Sequence, residues 1–91
     1  MLTALVLINV ERTKINEVAD QLASIDGVSE VYSVTGRYDL VAILRVEKNE
    51  QLAELVTQEL TTVKGITATE SMVAFRAHSR HDLEGMFDLG N

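Results

Sequence analysis

Hydrophobic positions along this chain alternate between two periods. From Thr3 to Val10 the period is two: Leu5 and Leu7 fall on one side, Ala4, Val6, Ile8 and Val10 on the other, and both sides are apolar. Such alternation describes an extended strand whose side chains point to opposite faces of a sheet. The polar link Glu11-Arg12-Thr13 leads into Ile15, Val18, Ala19, Leu22 and Ile25, whose spacing predicts a helix with Thr13 as its N-cap. Gly27 is placed to end that helix in a left-handed conformation. Val31-Tyr32-Ser33-Val34 and the run from Leu40 to Val46 return to strand character, joined as a hairpin through Thr35-Gly36-Arg37-Tyr38-Asp39. Asn49 is the expected cap of a second helix carrying Leu52, Leu55, Val56, Leu60 and Val63 on one side, closed by Gly65. Thr67 to His78 reads as a last strand, with Thr69, Ser71, Val73 and Phe75 on one face and Ala68, Glu70, Met72, Ala74 and Arg76 on the other.

The order β-α-β-β-α-β has an internal echo, because Leu22, Ile25, Gly27 and Val28 recur in type as Leu60, Val63, Gly65 and Ile66 at a constant offset. Two right-handed βαβ units interleave into a four-stranded antiparallel sheet with both helices on one face, so the expected class is α+β and ferredoxin-like. The chain has no proline and no linker, and residues 1–78 are expected to form one domain followed by a tail, 79–91. In that tail Ser79 and Asp82 are spaced as a short capping box, and Leu83, Met86 and Phe87 form an apolar stripe on one helical turn. Helices can cover only one face of the sheet, yet the first and third strands are apolar on both. The expectation is a homodimer packed sheet on sheet, a dimeric α/β barrel, with the tail stripe docked on a neighbouring subunit.

Composition narrows the function. The chain has 91 residues, 46% of them hydrophobic, enough for one modest core. A formal net charge of −6 with no basic cluster argues against direct nucleic-acid binding, which draws its affinity from phosphate neutralisation. The absence of cysteine leaves no disulfide framework or thiolate metal site and fits a reducing compartment. The apolar run 2–8 is too short to span a bilayer and no basic residue precedes it, so the expected location is cytoplasmic, without membrane contact. His78, Ser79, Arg80, His81 and Asp82 bring two imidazoles and a carboxylate close in sequence, but no second ligand cluster accompanies them. Neither a metal, a cofactor nor catalysis is expected there. Glu50, Glu54 and Glu59 read as the solvated side of the second helix, and Arg45 and Glu47 share a strand face on which they can pair.

The hairpin connection is the richest stretch. In its architectural reading Gly36 supplies positive φ, Asp39 folds its carboxylate onto backbone N–H groups and Tyr38 packs its ring on a neighbour. In its functional reading backbone N–H groups at the glycine cradle a carboxylate while Asp39 pairs with an ammonium group, and together they recognise a zwitterion. Thr35-Gly36-Arg37-Tyr38-Asp39-Leu40 after a Val-rich strand, with Gly65-Ile66 and Thr69-Glu70-Ser71 beyond, resembles the ligand-binding (RAM) domain of the Lrp/AsnC transcriptional regulators. That resemblance covers nearly the whole chain. It implies a ferredoxin-like protomer, a dimer with facing sheets, and rings of dimers such as octamers or decamers that hold an amino-acid effector at dimer contacts. It would place Gly36, Arg37, Tyr38 and Asp39 at that site, with Thr69, Glu70 and Ser71 as a less distinctive match. Family members also carry a helix-turn-helix domain, whereas this sequence opens on a strand. The expectation is a stand-alone module whose regulatory role would run through full-length relatives.

Other functions housed by this fold fare worse. An RNA-recognition module needs aromatic and basic residues on the third strand, where Leu40-Val41-Ala42-Ile43-Leu44 stands. A metallochaperone needs Cys-x-x-Cys, and an ACT-type sensor needs a glycine-bearing turn where Glu11-Arg12-Thr13-Lys14 stands. The enzymatic rival is a small dimeric α/β-barrel enzyme, such as a cofactor-free monooxygenase. It would line the space between sheet and helices with Trp, His or Asn, for which Asn9 is the one strand-interior candidate.

Overall fold

The computed structural model describes residues 1–80; the Leu83, Met86 and Phe87 stripe, and Asp82 of the expected capping box, lie outside the described residues. Strands β1 (Leu2–Val10), β2 (Val28–Ser33), β3 (Leu40–Val46) and β4 (Ile66–Ala74) form one antiparallel sheet in the order β2-β3-β1-β4. With helices α1 (Ile15–Ala23) and α2 (Asn49–Glu54) in the two crossovers, this is the ferredoxin-like α+β arrangement. The last strand is shorter than its periodicity suggests, ending at Ala74 rather than His78.

Register assigns the faces. Ala4, Val6 and Ile8 pair with Leu44, Ala42 and Leu40 and are buried beneath the helices, together with Val10 and Val46. Val18 and Leu22 from α1 and Leu52, Leu55, Leu60 and Val63 from the second helical segment close the core over them. No polar side chain is buried among the described residues, so cohesion here is apolar contact.

The second helix breaks the regular period. After α2 the chain continues as a π turn, Leu55–Glu59, and a 3₁₀ turn, Leu60–Thr62. Leu55 and Leu60 are five residues apart, one more than Val18 and Leu22 in α1, and a π turn absorbs such an extra residue while keeping both leucines inward. Both expected caps are also displaced. Thr13 sits inside a 3₁₀ turn, Arg12–Lys14, because Glu11 donates its N–H to Gly65 O at 2.8 Å and the chain curls before the helix begins at Ile15. Asn49 is already helical; Gln51 reaches back instead, its Oε1 accepting from the N–H groups of Glu47 at 3.0 Å and Lys48 at 2.9 Å.

Gly27 and Gly65 mirror each other. Gly27 does have positive φ, 97°, but it lies in a turn past the helix end, where Val28 N–H bonds to Ile25 O at 3.0 Å. A Cβ on Gly27 would stand 2.9 Å from Leu55 Cδ2, and one on Gly65 would stand 3.0 Å from Val18 Cγ2. Each glycine thus lets the start of the second strand of one half press on the helix of the other. Gly36 has a similar φ of 109° with nothing within 4 Å of its Cβ position. Gly36→Ala should therefore cost only backbone strain, about 1–2 kcal/mol, and Gly27→Ala roughly 1–3 kcal/mol more through overpacking. Urea unfolding of the two variants checks this, and equal losses would contradict the packing role.

Candidate functional site

The hairpin connection is built against the end of the central strand. Strands β2 and β3 stop at Ser33 and Leu40, leaving Val34 to Asp39 as the link, closed by Val34 N–H to Asp39 O at 3.0 Å. Asp39 then fastens the link to β1 twice: its own N–H donates to Ile8 O at 2.9 Å, and its Oδ2 accepts from Val10 N–H at 2.9 Å. The second bond matters because the β1–β3 ladder ends at Ile8 and Leu40, which would otherwise leave the Val10 donor without a sheet partner on that side. The Asp39 carboxylate therefore does fold onto backbone, but onto β1 rather than onto its own turn. One of its oxygens is thereby committed to the backbone.

Tyr38 reaches further. Its hydroxyl donates to Glu70 Oε1 in β4 at 2.5 Å, and because β1 lies between β3 and β4 the phenol spans the central strand. That hydrogen bond is the main reason the Tyr38 hydroxyl pKa is raised, so the phenol keeps its proton and remains a donor at neutral pH. Arg37, at the exposed tip beside Gly36, forms no hydrogen bond or salt bridge among the described residues. The tip thus presents one uncommitted guanidinium next to a phenol–carboxylate pair.

Not all the expected residues meet here. Glu70 pairs with Leu7 and lies on the open face of the sheet, whereas Thr69 and Ser71 pair with Ile8 and Val6 and point to the helix side. Thr69 instead lines a groove of about 300 Å³ with Val56, Leu60 and Ile66. A larger groove, about 690 Å³, lies at the far end of the sheet between Gly27, Arg45, Glu47 and the π turn. Neither reaches the hairpin tip. Arg45 does not pair with Glu47; it meets Glu30 across the strands at 3.5 Å and donates to Ser29 Oγ at 2.7 Å. Asn9 pairs with Ala68 and faces away from the helices, which is not where the enzymatic alternative needs it.

The open face carries Leu5, Leu7, Val41 and Ile43 at its centre with Tyr32 and Met72 beside them, the last two 50% and 44% exposed. Polar pairs ring this patch: Tyr32 with Glu30, Arg45 with Glu30, and Tyr38 with Glu70. A four-stranded antiparallel sheet in this order, with two crossover helices on one face and an apolar open face, defines the ferredoxin-like α+β class. Within that class, the model of the Lrp/AsnC ligand binding domain matches residues 3–83, and the chain belongs to that family. It is 32% identical over 75 residues, 82% of its length, to the HTH-type transcriptional regulator FL11 of Pyrococcus furiosus, of which the match covers 49%. The chain thus spans about half the length of that curated relative. Among solved structures, TTHA0845 from Thermus thermophilus superposes with a TM-score of 0.82 at 42% identity, covering 88% of this chain and all of that one. The transcriptional regulator NMB0573 of Neisseria meningitidis, solved as a complex with L-Met, shares the fold at 16% identity and TM-score 0.73, over 87% of this chain and 54% of that one. No helix among the described residues is long and apolar enough to cross a membrane.

The double fastening of Asp39 leads to a stability prediction. Asp39→Ala should destabilise the fold by about 1–2 kcal/mol, the lower part of the range for a charge-assisted bond because the site is half-exposed. Amide hydrogen exchange at Val10 should accelerate with it. Unchanged protection at Val10 would show that the carboxylate does not hold that strand end.

Proposed function

We propose that this chain is an effector-binding regulatory module of the Lrp/AsnC type that recognises a small zwitterion, an amino acid, at the corner formed by Gly36, Arg37, Tyr38, Asp39 and Glu70. The observation that carries this reading is the Tyr38–Glu70 hydrogen bond across β1, which brings the hairpin and the last strand into one constellation beside an unpaired Arg37. The guanidinium suits a carboxylate, and the second oxygens of Glu70 and Asp39 suit an ammonium group. The like-folded Neisseria regulator, bound to L-Met, supports the choice of ligand class. Thr69 and Ser71, on the opposite face, contribute only if a neighbouring protomer brings them to the corner.

The corner is open on a single protomer, so assembly must complete it. Two protomers pack their apolar faces together as a homodimer, and dimers associate into a ring of eight or ten subunits with the effector at their contacts. A ligand held between dimers binds the assembly better than its parts and shifts the oligomer population by that difference. Any direct DNA contact then falls outside this acidic domain.

Two measurements test this. Ile43→Glu, at the centre of the open face, should remove the face-paired dimer in sedimentation without unfolding the protomer. Native mass spectrometry with a mixture of amino acids should show a retained ligand, and Arg37→Ala should weaken it about tenfold or more. Failure of every amino acid to bind, with the assembly intact, would overturn the assignment.

A further inference from the structure

Asn9 continues the open-face row of Leu5 and Leu7 along β1 and, like them, is partly buried. Its carboxamide forms no hydrogen bond among the described residues. A polar group in that position is penalised once anything covers the open face, because the amide then loses water and gains no partner.

The surroundings of Asn9 are those of the corner. Ile8 O and Val10 N–H, the two backbone groups that hold Asp39, flank it in sequence. On the other side Asn9 pairs with Ala68, which makes Glu70, two residues further along β4, its diagonal neighbour on the same face. The Tyr38 phenol, bonded to Glu70, therefore crosses β1 over the part that carries Leu7 and Asn9. Hairpin, β1 and β4 each bring one polar side chain to this end of the face.

The hydrogen-bonding groups of the corner are one-sided except at Asn9. Arg37 only donates, the carboxylates of Asp39 and Glu70 only accept, and the Tyr38 hydroxyl uses its proton in the bond to Glu70. Guanidinium and carboxylates suit the charged ends of a zwitterion, which leaves Asn9 to meet the side chain. A carboxamide offers N–H groups and a carbonyl together, and the group that answers both is another carboxamide. A hydroxyl, with its single oxygen, does not lie against both ends of the amide. An acidic side chain has nothing to donate and would face Asp39 and Glu70, and an aliphatic one would leave the Asn9 amide unpaired. We infer that Asn9 is the specificity-determining residue of the corner and that the effector is a carboxamide amino acid, of the asparagine or glutamine type; this rests on the zwitterion reading of the corner.

Pairs of similar size and shape isolate the amide: L-asparagine against L-leucine, and L-glutamine against L-methionine, titrated calorimetrically into the parent chain. The amide member of at least one pair should bind about tenfold or more tightly. Asn9→Leu, which suits an apolar face, and Asn9→Ala, which adds no bulk, should both keep the parent's subunit number and lose that preference, whereas Arg37→Ala should weaken both members alike. Equal or tighter binding of the aliphatic members by the parent, or a preference that survives in a folded Asn9→Leu or Asn9→Ala chain, would overturn the assignment of Asn9 and leave the zwitterion reading standing. Absence of binding by every amino acid would instead overturn that reading, and this inference with it.

Discussion

A four-stranded sheet has two faces and two edges, and the described residues supply helix enough for one face. Everything else in the molecule answers to that constraint. On the covered side Val6, Ile8, Leu40, Ala42 and Leu44 are fully buried under Val18 and Leu22. On the other side Leu5, Leu7, Val41 and Ile43 are half-covered only by one another, yet they are as apolar as their neighbours beneath the helices. A sheet intended for water on that side would alternate apolar with polar residues. Polar pairs stand instead at the rim, Tyr32 and Arg45 with Glu30 and Tyr38 with Glu70, as they would around an apolar patch that meets a partner.

The inner side shows how a duplicated unit closes on itself. Glu11 donates to Gly65 O, and Arg45 donates to Gly27 O, so each half begins its second strand by bonding to the end of a strand from the other half. The two contacts are 2.8 and 2.9 Å long, and each glycine abuts the helix that the other half supplies. The match is not perfect. One additional residue in the second helix would rotate Leu60 out of the core, and the π turn at Leu55–Glu59 takes up that rotation. Repetition at the level of βαβ units thus survives an insertion because the helix, not the sheet, deforms.

The strands and the two-sided apolar pattern were legible in the chain because a period of two leaves no ambiguity about which residues share a face. The echo of Leu22 and Gly27 in Leu60 and Gly65 was legible too. Helix ends were not. Thr13 and Asn49 have the right chemistry for caps, but the bond from Glu11 to Gly65 and the reach of Gln51 set where the helices start. The π turn also escaped, since Leu52, Leu55, Val56, Leu60 and Val63 satisfy a helical template of period 3.6 closely enough to hide one extra residue. At the candidate site, Thr69-Glu70-Ser71 was grouped as one segment although strand alternation already separates Glu70 from both neighbours. The Asp39–Val10 bond had no local signal, because its partners are 29 residues apart and meet only when the hairpin is laid on β1.

On the proposed reading of the corner as an effector site, that bond also bears on how it both holds its shape and senses a ligand. A recognition loop that is wholly free would have to be ordered by the ligand, at a conformational cost that reduces affinity. A loop wholly bonded would have nothing to offer. Here the two ends of the connection are fixed, by Val34 and Asp39 to each other and by Asp39 to β1, while the exposed span Thr35–Arg37 between them carries the glycine and the unpaired guanidinium. Tyr38 sits between the two regimes, anchored by Glu70 rather than by backbone. A ligand ammonium group that drew the Glu70 carboxylate would compete with the Tyr38 hydroxyl for it. On the proposed reading, the hydrogen bond joining hairpin to β4 is the element through which occupancy of the corner would reach the edge strand.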